Sequence, residues 1–469
     1  MTITIIESVP AAPHLETAGE IALKYKAKKK NVNFCWIGSN LPWNDWELKK
    51  VQKLFGGSYQ RKLNNFFKIL EEKKITTYQI DEIKYLEKKI KLANAFNGNL
   101  DKLKQFKYRR APIGISVASS LISYFKNENI NPLKCKKKTR NLLLSSMIVF
   151  DRSYDFLRKN NPKSIITFNN RFATCFPIIC AADILGINIR HHERGSEIKK
   201  YEIFENGVHN LDEIREKIKL FWKKSKNKEK IKISEKFFIN KIKNIKTKSI
   251  SYTKNQKKGF LPKLPENKKI ITFFTSRDYE KASLINLELD QKKIFKKFYK
   301  FINQMSEYHL VIRVHPNNSI FASKDDSFWK EFENNNTTVI RSNENYDTYA
   351  LMHKSNFVVS YSSSIVVESS YFDIPTISLG KFWWSGLNIC GEPKNISDLK
   401  KILENKKKIK KSKLNCLKIA YFFENFGVDF KYFIPKKNKS FKYKNISLTW
   451  KSDLIIIFQN LFRKLHVKV

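Results

Sequence analysis

Residues 309–380 contain two apolar runs that each end in a polar turn: HLVIRVHPN (309–317) and, after a helical pattern, NFVVSYSSSIVVESSYFDIPTISLG (356–380). Short apolar runs that alternate with helical patterns are typical of βαβ units in a parallel sheet. In such sheets a ligand binds beyond the carboxyl ends of the strands, where the next helix begins. The stretch therefore predicts one half of a nucleotide-binding α/β domain.

Arg313 and His315 close the first of these apolar runs. Pro316 disfavours a helical conformation at His315, so the imidazole should project from the end of the strand. There it can donate a hydrogen bond to a phosphate oxygen, although a histidine at a strand end also occurs for purely structural reasons. Arg313 lies two residues earlier on the same strand face and could supply a permanent positive charge.

Three successive serines follow the second apolar run, and a carboxylate follows them on the next helix. Hydroxyl and N–H groups at Ser362, Ser363 and Ser364 can hold phosphate, although capping the helix would require only one of them. Glu368 comes four residues after Ser364 and could accept hydrogen bonds from ribose hydroxyls, unless it simply faces solvent. The turn after KIITFF adds Ser276 to the same predicted edge of the sheet.

The N-terminal half repeats the α/β pattern around a long helical stretch. TITIIESV, NVNFCWIG, KSIITF and INIRHH are predicted strands, and residues 44–160 are mostly helical with a short possible strand at 76–80. Glu193 and His14 are the candidate general bases, since an acceptor hydroxyl must lose its proton as it attacks. The candidate acceptor-binding residues are Asn170, Arg171 and Arg194.

A Lys-, Asn- and Ser-rich stretch with weak periodicity separates the two α/β series. We predict an N-terminal Rossmann-like acceptor domain over 1–245 with a helical insertion, and a linker over 246–265. A Rossmann-like nucleotide-donor domain over 266–430 and a basic tail over 431–469 follow. The tail ends in an amphipathic helix over 454–469, which either packs on the body or contacts a membrane.

The formal net charge of +46 does not by itself indicate a nucleic acid partner. Only 14 of the 90 basic residues are arginine, and the lysines accompany abundant Asn and Ile, a bias that AT-rich coding produces. We expect general affinity for anions, including an anionic membrane leaflet, and no nucleic acid. Six scattered cysteines, no signal peptide and no long apolar segment predict a cytoplasmic protein, with possible peripheral contact at the inner face of a membrane.

Known cofactor and metal motifs are missing from the sequence. No D-x-D occurs to hold a divalent ion at a pyrophosphate, so we expect no metal site and neutralisation of leaving-group charge by side chains. Neither G-x-G-x-x-G after the first strand nor G-x-x-x-x-G-K-[ST] is present, which argues against NAD enzymes and P-loop NTPases. No cofactor is expected.

The combination R-x-H-P, Y-S-S-S-x-x-x-E and P-T-I-S-L-G resembles capsule and surface polysaccharide biosynthesis proteins of the GT-B glycosyltransferase class. The segments P-H-L-E-T-A-G-E, N-N-R and H-E-R-G are similar to the acceptor half of such proteins. The resemblance implies two Rossmann-like domains facing a cleft, with His315 and a pair of the serines at 362–364 binding the nucleotide's phosphate. A nucleotide-sugar donor and a glycan or lipid-linked glycan acceptor would be the partners, and transfer would be metal-independent.

Two other functions stay open from the sequence. The H-P and Y-S-S pattern also resembles teichoic acid glycerophosphotransferases, which move a polyol phosphate from CDP, and there His315 would act at the transferred phosphate. A non-catalytic protein could instead hold an anionic glycan on its Lys-rich surface, with an affinity that falls steeply with salt. No D/E-D/E-G base motif of the sialyltransferases is present, which leaves the donor sugar and the base undetermined.

Overall fold

The protein is described by a computed structural model that covers residues 2–44, 59–245, 253–277, 291–316, 324–406, 409, 411–436 and 440–448. The described residues form two compact units. Unit 1 contains those up to His209 and from Gly427 onward, and unit 2 contains those from Asn210 to Phe426.

Unit 1 is built on a seven-stranded sheet in the order β12-β6-β5-β4-β1-β2-β3. The strands β5, β4, β1, β2 and β3 pair in parallel, whereas β6 and β12 pair antiparallel at one edge. Their bounds are β1 Thr2–Glu7, β2 Asn31–Trp36, β3 Thr76–Gln79, β4 Ser164–Phe168, β5 Asn188–Arg194, β6 Lys200–Phe204 and β12 Val428–Asp429. The predicted strands are confirmed, and β6 was not predicted.

Seven helices belong to the described part of unit 1: α1 His14–Ala27, α2 Tyr59–Glu72, α3 Leu86–Ala95, α4 Leu100–Lys104, α5 Ile113–Phe125, α6 Lys136–Asn160 and α7 Phe176–Ile184. Five of them, α2 to α6, lie between β2 and β4 in the chain, which confirms the predicted extra helices. A small antiparallel sheet, β13 Ile434–Pro435, β14 Phe441–Tyr443 and β15 Ile446–Ser447, completes the unit.

Unit 2 is built on a five-stranded, wholly parallel sheet in the order β11-β10-β7-β8-β9. Its strands are β7 Lys269–Phe274, β8 Tyr308–Arg313, β9 Thr337–Ile340, β10 Phe357–Ser360 and β11 Thr376–Ser378. Its helices are α8 Leu211–Lys224, α9 Lys230–Ile242, α10 Gln291–Ile302, α11 Lys324–Lys330, α12 Thr348–Lys354, α13 Ile365–Tyr371, α14 Ile396–Glu404 and α15 Lys413–Asn425. The predicted fold class, α/β with two Rossmann-like halves, is confirmed by the two sheets.

The compact units differ from the predicted domain boundaries in two places. Residues 210–245, predicted in the N-terminal domain, belong to unit 2, because Ile218, Phe237 and Phe238 pack in one core with residues of α13 and α15. Residues 427–430, predicted in the C-terminal domain, belong to unit 1, because β12 pairs with β6. Burial of apolar side chains and strand pairing, rather than the composition of the linker, decide both assignments.

Helix α1 attaches the C-terminal segment to unit 1. The buried carboxylate of Glu20 accepts hydrogen bonds from the backbone N–H groups of Lys431, Tyr432 and Phe433 at 2.6, 2.8 and 3.1 Å. The preceding residue, Gly19, leaves room for the ring of Phe433, whose nearest atoms would lie 2.8 Å from an added Cβ. A carboxylate with three N–H donors satisfies backbone groups that would otherwise be buried without partners.

The predicted amphipathic helix at 454–469 lies outside the described residues. Among the residues that the structure describes, no helix is both long enough and apolar enough to cross a membrane.

We expect Glu20→Ala to lower the free energy of unfolding by about 2–4 kcal/mol, because buried backbone N–H groups lose a charged acceptor. Urea unfolding measures the loss, and hydrogen exchange should show faster exchange of the amides of residues 431–433. Glu72→Ala is the control, since Glu72 is an exposed glutamate of α2. Equal unfolding curves for Glu20→Ala and the wild-type protein would contradict the role of this carboxylate.

Candidate functional site

The carboxyl ends of β7 and β8 are joined by two hydrogen bonds. The backbone N–H of Thr275 donates to the carbonyl of Arg313 at 3.1 Å, and the N–H of His315 donates to Thr275 Oγ1 at 2.9 Å. Because β7 and β8 are adjacent parallel strands, their ends lie at the same edge of the sheet. The structure therefore brings His315 next to the polar turn after β7, where Thr275 accepts its N–H.

The first serine of the serine turn belongs to the same cluster. The backbone N–H of Ser362 donates to Ser276 Oγ at 3.0 Å, and the two hydroxyls lie 3.1 Å apart. Ser276 is itself held by Gln291 at the start of α10, which accepts from its N–H at 2.6 Å and donates to its carbonyl at 3.1 Å. Ser276 and Ser362 are both buried, so this junction is ordered without help from solvent.

The remaining serines differ from Ser362 in their exposure. Ser363 is half-buried, and its N–H donates to Ser360 Oγ at 3.1 Å, whereas Ser364 is exposed and caps α13. Ser364 Oγ donates to Glu368 Oε1 at 3.1 Å, and the hydroxyl of Tyr349 donates to Glu368 Oε2 at 2.8 Å. Glu368 is only 4% exposed, so its carboxylate holds the start of α13 in place.

The guanidinium of Arg313 faces the loop after β9, and this corrects its predicted role as the charge at a phosphate. Its Nη1 donates to the carbonyl of Arg341 at 2.6 Å, and its Nη2 donates to the carbonyl of Glu344 at 3.2 Å. Arg313 is 1% exposed, and burial lowers its pKa to about 10, so it stays protonated at neutral pH. A buried charge that binds two backbone carbonyls stabilises the loop.

Arg277 takes the position at the sheet edge that the sequence analysis gave to Arg313. It directly follows Ser276 and is 8% exposed. Its charge acts on His315 more strongly than that of Arg313 does. Its place in the polar turn after KIITFF was the available sequence signal, although only Ser276 of that turn was named as a candidate phosphate-binding residue.

His315 is half-buried beside two positive charges. Burial, followed by the charges of Arg277 and Arg313, lowers the pKa of His315 to about 3. At neutral pH the imidazole is therefore uncharged, with one nitrogen as hydrogen-bond donor and the other as acceptor. An anion placed beside Arg277 would be attracted by the positive charges of Arg277 and Arg313. This position is therefore electrostatically suited to phosphate.

Gly380 brings the turn after β11 against the serine turn. Its N–H donates to the carbonyl of Tyr361 at 3.1 Å, and an added Cβ would lie 2.6 Å from that same carbonyl oxygen. Backbone atoms cannot move aside as a side chain can. A glycine is therefore required here for the P-T-I-S-L-G segment to close on residues 361–362.

In unit 1, Asn169 connects the ends of β4 and β5. Its Nδ2 donates to Glu193 Oε2 at 2.7 Å, its Oδ1 accepts from the N–H of Asn170 at 2.7 Å, and its N–H donates to the carbonyl of His192 at 3.1 Å. Asn169 has φ 52°, a left-handed conformation that asparagine tolerates better than most residues. It was not among the predicted site residues, although the N-N-R segment contains it.

Glu193 and Arg194 are the last two residues of β5, at the predicted end of that strand. They pair with Glu202 and Tyr201 of β6, because the chain continues into an antiparallel hairpin. Glu193 is half-buried, and its Oε1 accepts from the N–H of Arg194 at 2.9 Å. Asn169 thus orients a half-buried carboxylate that still reaches solvent.

His14 lies at the start of α1, and its ring packs on Phe168 at the end of β4 with 3.8 Å between centroids. The ring of Phe168 also lies 5.6 Å from that of His192. His192 Nε2 lies 2.5 Å from Glu7 Oε1, and both side chains are fully buried. Burial raises the pKa of Glu7, while His192 opposes that shift. The sequence analysis did not identify Glu7. The available signal was its position, as a carboxylate at the end of the apolar run TITIIE.

The predicted acceptor residues occupy three different environments. The amide of Asn170 lies against Gly207, where an added Cβ would be 2.5 Å from Asn170 Nδ2. The guanidinium of Arg171 lies over the ring of Phe172 at 4.4 Å, and Arg194 is exposed. Asn170 and Arg171 directly follow Asn169 in the chain, so they share the edge of the sheet with Glu193.

Comparison with known proteins yields only distant structural matches. No protein-family model matches the chain, and no curated protein matches its sequence significantly. The solved structures to which it is similar include two from Thermosulfurimonas dismutans. KpsC β-Kdo 2,4 transferase is 12% identical over 56% of this chain and 80% of that chain, with a TM-score of 0.38. KpsC β-Kdo 2,7 transferase is 12% identical over 66% and 89%, with a TM-score of 0.36.

A third similar structure is the UDP-GlcNAc 2-epimerase from Neisseria meningitidis bound to UDP-GlcNAc. It is 13% identical over 90% of this chain and 97% of that chain, with a TM-score of 0.28. At such identities and TM-scores these matches identify no family. The function is therefore argued from the site itself.

The low pKa of His315 predicts a measurable pH dependence of stability. The folded pKa of about 3 lies below the value of about 6.5 in the unfolded chain, so the unfolded state binds more protons between these pH values. The contribution of His315 should therefore lower the free energy of unfolding by about 1–2 kcal/mol between about pH 7 and pH 5. Urea unfolding of wild type and His315→Gln at both pH values tests this. Equal losses of stability in the two proteins would show that His315 is not kept neutral.

Proposed function

We propose that the chain is a nucleotide-sugar-dependent glycosyltransferase that acts in capsule or surface polysaccharide biosynthesis. The observation that carries the proposal is the convergence of a neutral His315, the charged Arg277 and the Ser276–Ser362 junction at one edge of a parallel sheet. The motifs at these positions resemble those of GT-B transferases, and the resemblance supplies the polysaccharide context.

The proposed donor site holds the phosphates of the nucleotide in unit 2. His315 donates an N–H to a phosphate oxygen, Arg277 supplies the positive charge, and the hydroxyls of Ser276 and Ser363 supply further donors. Ser362 donates its hydroxyl to Ser276 and orients that side chain toward the phosphate. We assign Arg313, Glu368 and Ser364 to positioning instead, since Arg313 and Glu368 are buried against partners within the fold and Ser364 donates to Glu368. The proposal needs no metal ion, because the positive charge of Arg277 and a hydrogen bond from the uncharged His315 can stabilise the departing phosphate.

The proposed catalytic base is Glu193 of unit 1, held by Asn169. As the acceptor hydroxyl oxygen forms a bond to the anomeric carbon of the donor, its proton passes to the Glu193 carboxylate. The bond from that carbon to the phosphate oxygen breaks, and the electron pair leaves with the nucleotide, whose new charge Arg277 and His315 stabilise. Asn170, Arg171 and Arg194 would contact the acceptor. His14, packed on Phe168, is the second candidate for the base.

A polyol-phosphate transferase with a CDP donor would use the same phosphate site. In such a reaction His315 would have to act on the transferred phosphate or accept the proton of the attacking hydroxyl. An imidazole with a pKa of about 3 is a weak base, whereas it can still donate a hydrogen bond to a phosphate oxygen. The low basicity of His315 therefore favours sugar transfer over polyol-phosphate transfer.

The proposed partners are a nucleotide-sugar donor and a glycan or lipid-linked glycan acceptor. A lipid-linked acceptor would bring the protein to the cytoplasmic face of a membrane, where clustered lysines are attracted to anionic lipids by about 1 kcal/mol each. A non-catalytic protein that held an anionic glycan only through surface lysines would not need buried hydroxyl groups at strand ends. The buried hydroxyls of Ser276 and Ser362 therefore favour the enzyme over that alternative.

We expect His315→Ala to weaken nucleotide binding by about 10–100-fold, because a hydrogen bond to a charged phosphate is lost. Thermal-shift screening with UDP-, CMP-, GDP- and CDP-linked donors identifies the ligand first, since a ligand that binds only the folded state raises its stability. His353→Ala, which replaces an exposed histidine of α12, should bind like the wild type. Failure of every donor to bind a folded wild-type protein would argue against the proposal.

Glu193→Gln should reduce turnover by about 10²–10⁴-fold with unchanged donor affinity, because the amide cannot accept the hydroxyl proton. The assay is transfer from the donor found in the screen to a surface-glycan extract. Glu202→Gln is the matched control, since Glu202 pairs with Glu193 across the β5–β6 hairpin. Wild-type turnover in Glu193→Gln, together with loss of turnover in His14→Ala, would transfer the role of base to His14.

A further inference from the structure

A cavity of about 470 Å³ lies in unit 1 between the edge strand β3 and helix α6. Its lining includes none of the candidate catalytic or binding residues described above. Its volume falls within the range of ~300–1,000 Å³ that is typical of small-molecule sites. The cavity therefore has room for a ligand that the strand-end residues do not explain.

Five of the seven charged residues that line the cavity have partners within the protein, and the other two, Glu82 and Lys159, are exposed to solvent, which screens their charges. Asp151 accepts from the hydroxyl of Tyr108 at 2.9 Å and lies 2.5 Å from Lys89 Nζ, while Lys84 and Asp155 form an ion pair at 3.0 Å. The guanidinium of Arg152 donates to backbone carbonyls, among them those of residues 37 and 39. With these charges satisfied internally, the cavity has no evident need for an ionic ligand.

The other lining residues offer an aromatic surface and uncharged polar groups. Tyr78 packs edge-on against Phe156 with 5.1 Å between ring centroids, and Tyr78 is half-buried. Gln79 and Asn160 are exposed and carry amides, which both donate and accept hydrogen bonds. Ile80, Ile83 and Ile148 supply apolar surface.

The backbone of β3 adds further hydrogen-bonding groups. Among the residues that the structure describes, β3 is the last strand of the sheet, so one of its edges is not paired with another strand. The N–H of Ile80 donates to Trp36 in β2, and alternate residues of a strand face the same neighbour. The N–H and carbonyl groups of Thr77 and Gln79 therefore face this unpaired edge. Both residues line the cavity.

We propose that this cavity binds a neutral sugar unit of a glycan. A pyranose ring offers hydroxyls that both donate and accept, together with C–H faces that pack on aromatic rings, and the lining matches both features. The identification of this sugar as a part of the acceptor remote from the reacting hydroxyl rests on the proposed function. The binding of a neutral saccharide at β3 does not.

The test measures binding of maltotriose, lactose and diacetylchitobiose to the full chain by saturation-transfer NMR titration, without any nucleotide. Sialyllactose and inorganic phosphate are the anionic comparisons. Tyr78→Ala should weaken binding of the neutral saccharide by about fivefold or more, because an aromatic contact is lost. Gln79→Ala, at an exposed position, should also weaken it. Thr76→Ala is the matched control, since Thr76 is an exposed residue of the same strand and does not line the cavity.

The proposal is overturned if no neutral saccharide binds the folded wild type, or if only sialyllactose or phosphate binds. It is also overturned if the Gln79→Ala and Tyr78→Ala variants both fold and both bind the saccharide like the wild type. If Tyr78→Ala does not fold, the result for Gln79→Ala decides. His315→Ala should leave saccharide binding unchanged. If the protein binds a neutral saccharide but no nucleotide donor, the proposed function is rejected and the saccharide site is supported. Failure of the proposed function and failure of the saccharide site are therefore distinguishable.

Discussion

Hydrogen bonds between neighbouring strand ends are the interaction on which the candidate site of unit 2 depends. Parallel pairing brings the ends of β10, β7 and β8 to one edge of the sheet. Two side-chain hydroxyls after β7 then accept hydrogen bonds from backbone N–H groups that follow β8 and β10. Thr275 holds His315 in this way, and Ser276 holds Ser362. The turns are thus ordered before any ligand arrives, which lowers the entropic cost of arranging donors around an anion.

The sequence predicted where the polar turns lie but not which side chains face the site. Strand periodicity was sufficient to place His315, Ser276 and Ser362 at one sheet edge, because parallel strands must share that edge. It could not show that Arg313 turns toward the loop after β9, since the carbonyls it binds lie 28 and 31 residues away in the chain. Glu368 is a similar case, because its partner Tyr349 lies on a different helix.

In unit 1 the segment P-H-L-E-T-A-G-E, residues 13–20, largely serves the fold. In P-H-L-E-T-A-G-E, Glu16 forms a buried ion pair with Lys62 at 2.6 Å, and Glu20 binds amides more than 400 residues away. Removing one member of such a buried pair leaves an uncompensated charge, so both positions tolerate little change for structural reasons alone. Local sequence patterns do not reveal these partners, because they come from helices and loops that are distant along the chain. Of the motif, His14 is the residue that the structure leaves at the sheet edge beside Phe168.

The net charge of +46 and the proposed anion site are separate features of the molecule. Most described lysines are exposed, where water and salt weaken each charge, and the fully buried Lys62 and Lys89 are paired with carboxylates. Arg277 is 8% exposed, so its field reaches His315 through a medium that screens far less than water does. One desolvated arginine beside a neutral histidine can select an anion that fits at that position, such as a phosphate. Many solvated lysines attract any anion, whatever its shape. In the proposed site, specific recognition would therefore come from the strand ends, and the lysine surface would add only a general attraction that is sensitive to salt.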